Sequence, residues 1–228
     1  MNYLKSILFA AGFAFIWLLS SCSTSQTTKS SLLEGSIDYA VEVINLDHPI
    51  AGMAPGSATV KFKNNKLQVE MSAMGIFTTV FISDPDRHTL TQMVSFMDIK
   101  NACIENEKDL NEEFKSYELN IEETDETKEI AGYKCKKSLA SLKGNPKDVF
   151  EIYYTEELGL ESLNHIGPYH KINGMLMEYR IKKFGLELRL KATSVKKEIV
   201  KDEIFEVPSH YKIVTPTEMQ VLFEDLQK

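Results

Sequence analysis

The residues of this chain whose types could do chemistry are five histidines, the acids that share a turn with one of them, and a few pairs of glutamates. His48, His88, His165, His170 and His210 are scattered, and His165 and His170 stand five apart across Gly167-Pro168, a spacing that shares no helical face. No carboxylate or cysteine near them completes a zinc set. Asp84, Asp86 and His88 alternate and have the oxygens for a hard cation, yet a solvated turn opened by Pro85 accounts for the same residues. The pairs Glu112-Glu113, Glu122-Glu123 and Glu156-Glu157 are adjacent, so their carboxyls do not face each other across a bond to be cut. Gly-x-Ser-x-Gly, a glycine-rich phosphate loop and His-Glu-x-x-His do not occur in the sequence. A non-catalytic protein without cofactor or metal is expected.

One cysteine has a defined chemistry. Lys5 supplies a positive start, Ile7 to Leu19 an apolar run of signal-peptide length, and Leu19-Ser20-Ser21-Cys22 resembles a bacterial lipobox, in which cleavage precedes a cysteine that then carries acyl chains. A plain secretory signal with a chance cysteine is the alternative. On the lipobox reading residues 1–21 are a lipoprotein signal peptide and residues 22–34 hold the lipidated Cys22 and a flexible tether, since Ser23 to Ser31 has no apolar residue. At roughly 0.8 kcal/mol per buried CH₂, two or more chains hold a protein stably on a membrane. The expected place is the cell envelope, anchored to the outer membrane and facing the periplasm, because no acidic cluster beside Cys22 argues for export to the outer surface.

The charge narrows the partners. The chain carries −7, and removal of the signal takes Lys5 and leaves it more acidic still, so nucleic acid is excluded. The partners expected are the membrane through the N-terminal lipid, a lipid or lipoprotein ligand, and an envelope protein. Two cysteines remain, Cys103 and Cys135, readable as a disulfide or as two small buried hydrophobes.

The richest signal is apolar. Met53, Met71, Met74, Met93, Met97, Met175, Met177 and Met219 are interleaved with Phe77, Phe81 and Phe96. Methionine is flexible and polarizable, so a concavity lined with it adapts to chains of varied length. The candidate ligand-binding residues are Met71, Phe77, Phe81, Met93, Phe96, Met175, Met177, Leu188, Leu222 and Phe223; the alternative is that they fill an ordinary core. A groove burying ten methylenes would offset roughly 8 kcal/mol of the cost of leaving a membrane, which suits transfer rather than irreversible capture.

The elements that must position these residues are mostly strands. Glu129 to Thr155 reads as two strands around the turn cluster Lys143 to Asp148, and the device repeats on either side of it. Strand alternation runs through Ile37–Val43, through Ala58–Phe62 and Leu67–Met71 around Asn64-Asn65, and through Tyr117–Ile121. Ile76–Ser83 and Thr89–Phe96 are apolar on both faces and so are central strands. Met175–Ile181 and Leu186–Ala192 each show one wet face. Residues 98–115 are irregular with a short helix near Leu110, and Glu156–Asn164 suggests another brief helix. Ile50 and Met53 lie in a Pro/Gly-rich loop, read either as folded onto the core or as touching a membrane or partner. Thr215-Pro216-Thr217-Glu218 opens a C-terminal helix whose Met219, Leu222, Phe223 and Leu226 form one apolar stripe.

Nine or ten such strands with few helices make a mainly β (α+β) fold: one large curved antiparallel sheet or open half-barrel, with short helices in its concave side and a C-terminal amphipathic helix, occupying residues 35–228 as a single domain. An immunoglobulin-like sandwich is the alternative, but the only tryptophan, Trp17, lies in the signal. Glu129 to Lys136, Tyr154-Thr155, Gly174 to Tyr179 and Asp202 to Pro208 with Tyr211 resemble the Bacteroidetes-type envelope family called domain of unknown function 4412. That family is similar to the lipoprotein-localisation carriers and receptors, and the resemblance implies a curved sheet closed by helices that shelters acyl chains. Two functions compete: a membrane-anchored protein that binds a lipid or acyl chain in the concavity, and a structural or interaction module with a filled core.

Overall fold

A computed structural model describes residues 33–160, 163–164, 166–183 and 185–226. Cys22 and the expected signal lie outside them. From Glu34 the alternating sequence produces a run of strands: β1 (Glu34–Val43), β2 (Ser57–Lys63), β3 (Lys66–Ala73), β4 (Phe77–Asp84), β5 (Thr89–Phe96) and β6 (Ile99–Asn106). Each is antiparallel to the one before. Asn64 and Asn65 take positive φ, 48° and 68°, and close the β2–β3 turn as two asparagines can. Helix α1 (Glu107–Phe114) begins on a capping box in which Asn106 accepts from the third residue and Asp109 answers. A second meander follows: β7 (Leu119–Ile130), β8 (Tyr133–Leu142), β9 (Asn145–Thr155), β10 (Met175–Lys183) and β11 (Leu186–Lys196). The chain ends in the short β12 (Lys212–Ile213) and α2 (Pro216–Leu226), whose start is the Thr215–Glu218 capping box read from the sequence.

All twelve strands form one sheet in the order β12-β6-β5-β4-β3-β2-β1-β11-β10-β9-β8-β7. β11 pairs with β1 and fuses the two meanders, while β12 lies parallel to β6 at one edge and β7 forms the other. The sheet is curved and open, as the alternation required, and a two-sheet sandwich is ruled out.

Its two faces are covered differently. On one, Thr79 and Phe81 of β4, Val94 of β5 and Cys103 of β6 share a face, and α2 docks there through Met219 and Phe223. On the other, Val80, Ile82, Met93 and Ala102 receive Val200 and Phe205 from the segment that joins β11 to β12. Lys63 tethers that strap by donating to the Val200 carbonyl (3.0 Å) and pairing with Asp202 (2.9 Å), and Gln68 donates to the Ile204 carbonyl (2.7 Å). The C-terminal segment thus crosses the convex face, rounds the β6 edge and lays its helix in the concave side.

Several sequence expectations are corrected. Residues 99–106 are a strand, and β12 adds a further one. Glu129 and Ile130 end β7, which turns into β8 at Ala131-Gly132, and the β8–β9 turn is only Lys143-Gly144. Glu156–Asn164 holds no helix among its described residues; the β9–β10 connection is instead an irregular plug with Leu158, Leu160 and Leu163 in the core. Of the two readings of Cys103 and Cys135 the second holds: both are small buried hydrophobes, in separate clusters, and they form no disulfide. No helix of the described residues is long and apolar enough to cross a membrane.

Candidate functional site

Curvature brings distant strands together. β4 and β10 are five positions apart in the sheet, roughly 24 Å if it were flat at about 4.8 Å per strand, yet Phe81 and Ile181 line the same hollow. Two hollows lie side by side on the concave face. The smaller, about 80 Å³, is walled by Met71, Phe77 and Phe81 from β3 and β4, Ile181, Leu186 and Leu188 from β10 and β11, and Phe223 from α2. The larger, about 210 Å³, continues past Leu67, Val69 and Tyr179 to Phe114 at the end of α1, Tyr117 just beyond it, and Leu163 and Pro168 of the plug. Met71, Phe81 and Ile181 belong to both, so the two are parts of one apolar trough.

Local chemistry holds each wall. Phe223 meets Phe77 edge-on, and Phe77 in turn tilts against Phe96, its cross-strand partner, at 6.0 Å. The loop after β1 forms a rim: Asn45 donates to the Gly185 carbonyl and accepts from the Glu187 amide, both at 2.8 Å. This places Ile50 and Met53 over the smaller hollow, so the loop folds inward, the first of the two arrangements its sequence allowed. The plug is pinned by Asn164, whose amide donates to the Ile172 and Gly174 carbonyls at 2.9 and 2.8 Å. Beneath it, Tyr39 donates to the Leu176 carbonyl (2.7 Å), and the Tyr39, Tyr179 and Tyr169 rings make two edge-on contacts in series. Burial pushes all three phenols above their ordinary range. They stay neutral.

The sequence-derived residues divide into groups. Met71, Phe77, Phe81, Leu188 and Phe223 line the trough, and Phe96 supports Phe77 behind it. Met93 points to the opposite face, beneath the convex strap, because it alternates with the inward Val94 and Gln92. Met175 and Met177 are buried in the main cluster and line neither hollow, so Met177→Lys would disrupt the core instead of probing a ligand. Leu222 faces a polar recess beside β6 and β12. Ile181, Leu186 and Tyr117 join the site without having been singled out by the sequence. Ile181 and Leu186 sit in the same alternation that marked Leu188, whereas nothing local distinguishes Tyr117.

The wet face of β10 is also drier than its sequence suggested. Glu178 is 1% exposed and is held by Lys128 of β7 (3.1 Å) and by Arg189 of β11. Lys128 additionally covers the Tyr153 ring at 4.3 Å. Burial would raise the Glu178 carboxyl, but the bonds from Arg189 and Lys128 prevail and hold it below its usual range. This network braces the convex side behind the trough.

No family model and no curated protein matches the chain. Among solved structures the chain is similar to PNGF-II in two crystal forms, C2 and P21. The first gives a TM-score of 0.52 at 16% identity over 85% of this chain and 32% of that one. The second gives 0.50 at 15% identity over 84% and 33%. This chain therefore spans about a third of PNGF-II, and at such identity the likeness concerns the fold alone. Neither neighbour is a lipoprotein-localisation carrier, so the resemblance to the 4412 family rests on its short motifs.

Proposed function

We propose that this protein is a lipid-anchored envelope protein that holds a hydrophobic ligand, a lipid or the acyl chain of a lipoprotein, in the concavity of its curved sheet and does not transform it. The supporting observation is the trough shared by Met71, Phe81 and Ile181. Water gains little in a hollow that offers it few polar partners, whereas a methylene chain gains about 0.8 kcal/mol per buried CH₂. Cys22, as the lipidated residue, would keep the domain at the outer membrane on its periplasmic side. Non-catalytic binding agrees with the lining of the smaller hollow, where Thr79 supplies the one side-chain hydroxyl among the described residues.

A second reading, an interaction module of the envelope, draws support from Met74 and Met97, which are 77% and 71% exposed at the β3–β4 and β5–β6 turns. Native mass spectrometry of the domain begun after Cys22, so that it carries no lipid of its own, and purified from its host without detergent separates the two. A co-purifying acyl ligand that leaves on mild denaturation supports the first, and a clean apo mass in repeated preparations overturns it in favour of a protein partner.

A further inference from the structure

The two hollows of the trough are unequal, and their sizes decide how much chain fits. An apolar cavity of about 150 Å³ takes up one benzene molecule, so each carbon needs roughly 25 Å³. By that measure the larger hollow, about 210 Å³, holds about eight carbons and the smaller, about 80 Å³, about three. Met71, Phe81 and Ile181 line both and form a waist, where β3 and β4 face β10 across the curve of the sheet. Past the waist the smaller hollow runs up against Phe77 and Phe223, which meet edge-on, and Phe96 backs Phe77 from the neighbouring strand. Polar side chains lie toward the other end. Ser83, Asn164 and Lys182 line the larger hollow, whereas Thr79 is the one polar side chain of the smaller among the described residues.

We infer that the trough is a ruler for one unbranched alkyl chain. It buries about eleven carbons, with the methyl end against Phe77 and Phe223 and the head end out past the larger hollow. Two chains side by side would have room for only about five carbons each. The remainder of a longer chain, and its head group, stay outside the trough. This rests on the acyl-chain function proposed above and names the ligand class within it, a lipid that inserts a single chain. Phe77 sets the length, and Ile181 controls the passage between the hollows.

Equilibrium binding of a fatty-acid series from hexanoate to palmitate, each below its micelle concentration, tests this. The protein is the chain begun after Cys22, which keeps every described residue and carries no lipid of its own. Each added methylene should tighten binding about fourfold, the equivalent of roughly 0.8 kcal/mol per buried CH₂, and the gain should stop at about eleven carbons. Phe77→Ala, at a half-buried ring, should move that stopping point to longer chains. Ile181→Trp should close the waist and move it down to about eight carbons, the capacity of the larger hollow alone. Dioctanoyl phosphatidylglycerol should bind no more tightly than octanoate, since its second chain finds no room. Affinity that still rises from dodecanoate to palmitate, or a two-chain lipid bound far more tightly than octanoate, would overturn the ruler and leave acyl-chain binding standing. So would a stopping point that neither substitution shifts in variants with the circular dichroism of the wild type. A wild type that binds no fatty acid of any length would instead overturn the acyl-chain function itself.

Discussion

The ring of Phe223 stands edge-on to that of Phe77, with centroids 6.1 Å apart and planes at 80°. This single contact joins the C-terminal helix to the strand that lines the trough. Helix α2 leans on Val94 and Cys103 through Met219, while Phe223 completes the wall of the smaller hollow. Phe223→Ala should therefore act twice. Loss of a buried phenyl costs about 3 kcal/mol, seen as a lower urea midpoint, and the opened wall should release bound ligand faster. Proteolysis within residues 216–226 should accelerate in parallel.

Two methionines distinguish the faces of the sheet. Met71 is inward and belongs to both hollows, and Met93 lies under the convex strap. Either one changed to alanine should destabilise the fold by about 2–3 kcal/mol, since both are buried. Only Met71→Ala should change the occupancy or chain-length preference of a bound ligand, read by native mass spectrometry. Equal effects on ligand from both would contradict the assignment of faces.

Ile181 probes the trough without breaking the core. It is half-buried and shared by the two hollows, so Ile181→Glu places a carboxylate where a methylene chain would lie while leaving it a route to water. The variant should fold, by circular dichroism, and retain no acyl ligand.

Glu178 gives a pH dependence with a definite sign. Its carboxyl is held below the usual glutamate value, against burial, by Arg189 and Lys128. A depressed folded value means that the carboxylate contributes stability above the unfolded value, about pH 4.3, and loses it as pH falls through the folded one. Stability should thus decline on acidification below about pH 4.5. Glu178→Gln should flatten that limb and cost about 1 kcal/mol at neutral pH, because Lys128 and Arg189, 40% and 45% exposed, lose their shared partner but keep their access to water. Chemical denaturation at pH 3.5, 5 and 7 measures both effects.

Gly174 fixes the entry to β10. Its φ is +128°, and a Cβ there would lie 2.6 Å from the Thr155 carbonyl oxygen. Gly174→Ala should destabilise by at least about 1 kcal/mol. Hydrogen exchange should rise through residues 166–174, since Asn164 bonds the carbonyl of this same glycine.

Much of this was legible in the chain. The period-two alternation of Ile37 to Val43 and of Leu186 to Ala192 determined strands, the asparagines at 64 and 65 determined a tight turn, and Thr215 to Glu218 determined where the last helix starts. Too few helices to cover so many strands determined a sheet that curves. What alternation could not give is which side of a strand faces inward. β5 buries Gln92, Met93 and Val94 in succession, and β6 buries Ala102 and Cys103 side by side, since one face lies under α2 and the other under the strap. A strand covered on both faces loses its alternation, which hid β6 altogether and put Met93 on the wrong side. The same holds for Glu178 and Tyr117. Glu178 has the local sequence of a solvated acid, and only strands distant in the chain bring Lys128 and Arg189 over it. Tyr117 has the local sequence of any strand-flanking tyrosine, and only curvature buries it beside a hollow. Local sequence determines periodicity because the backbone repeats every two residues. Facing, enclosure and the pairing of buried polar groups depend on what arrives from elsewhere in the chain, and only the tertiary structure decides that.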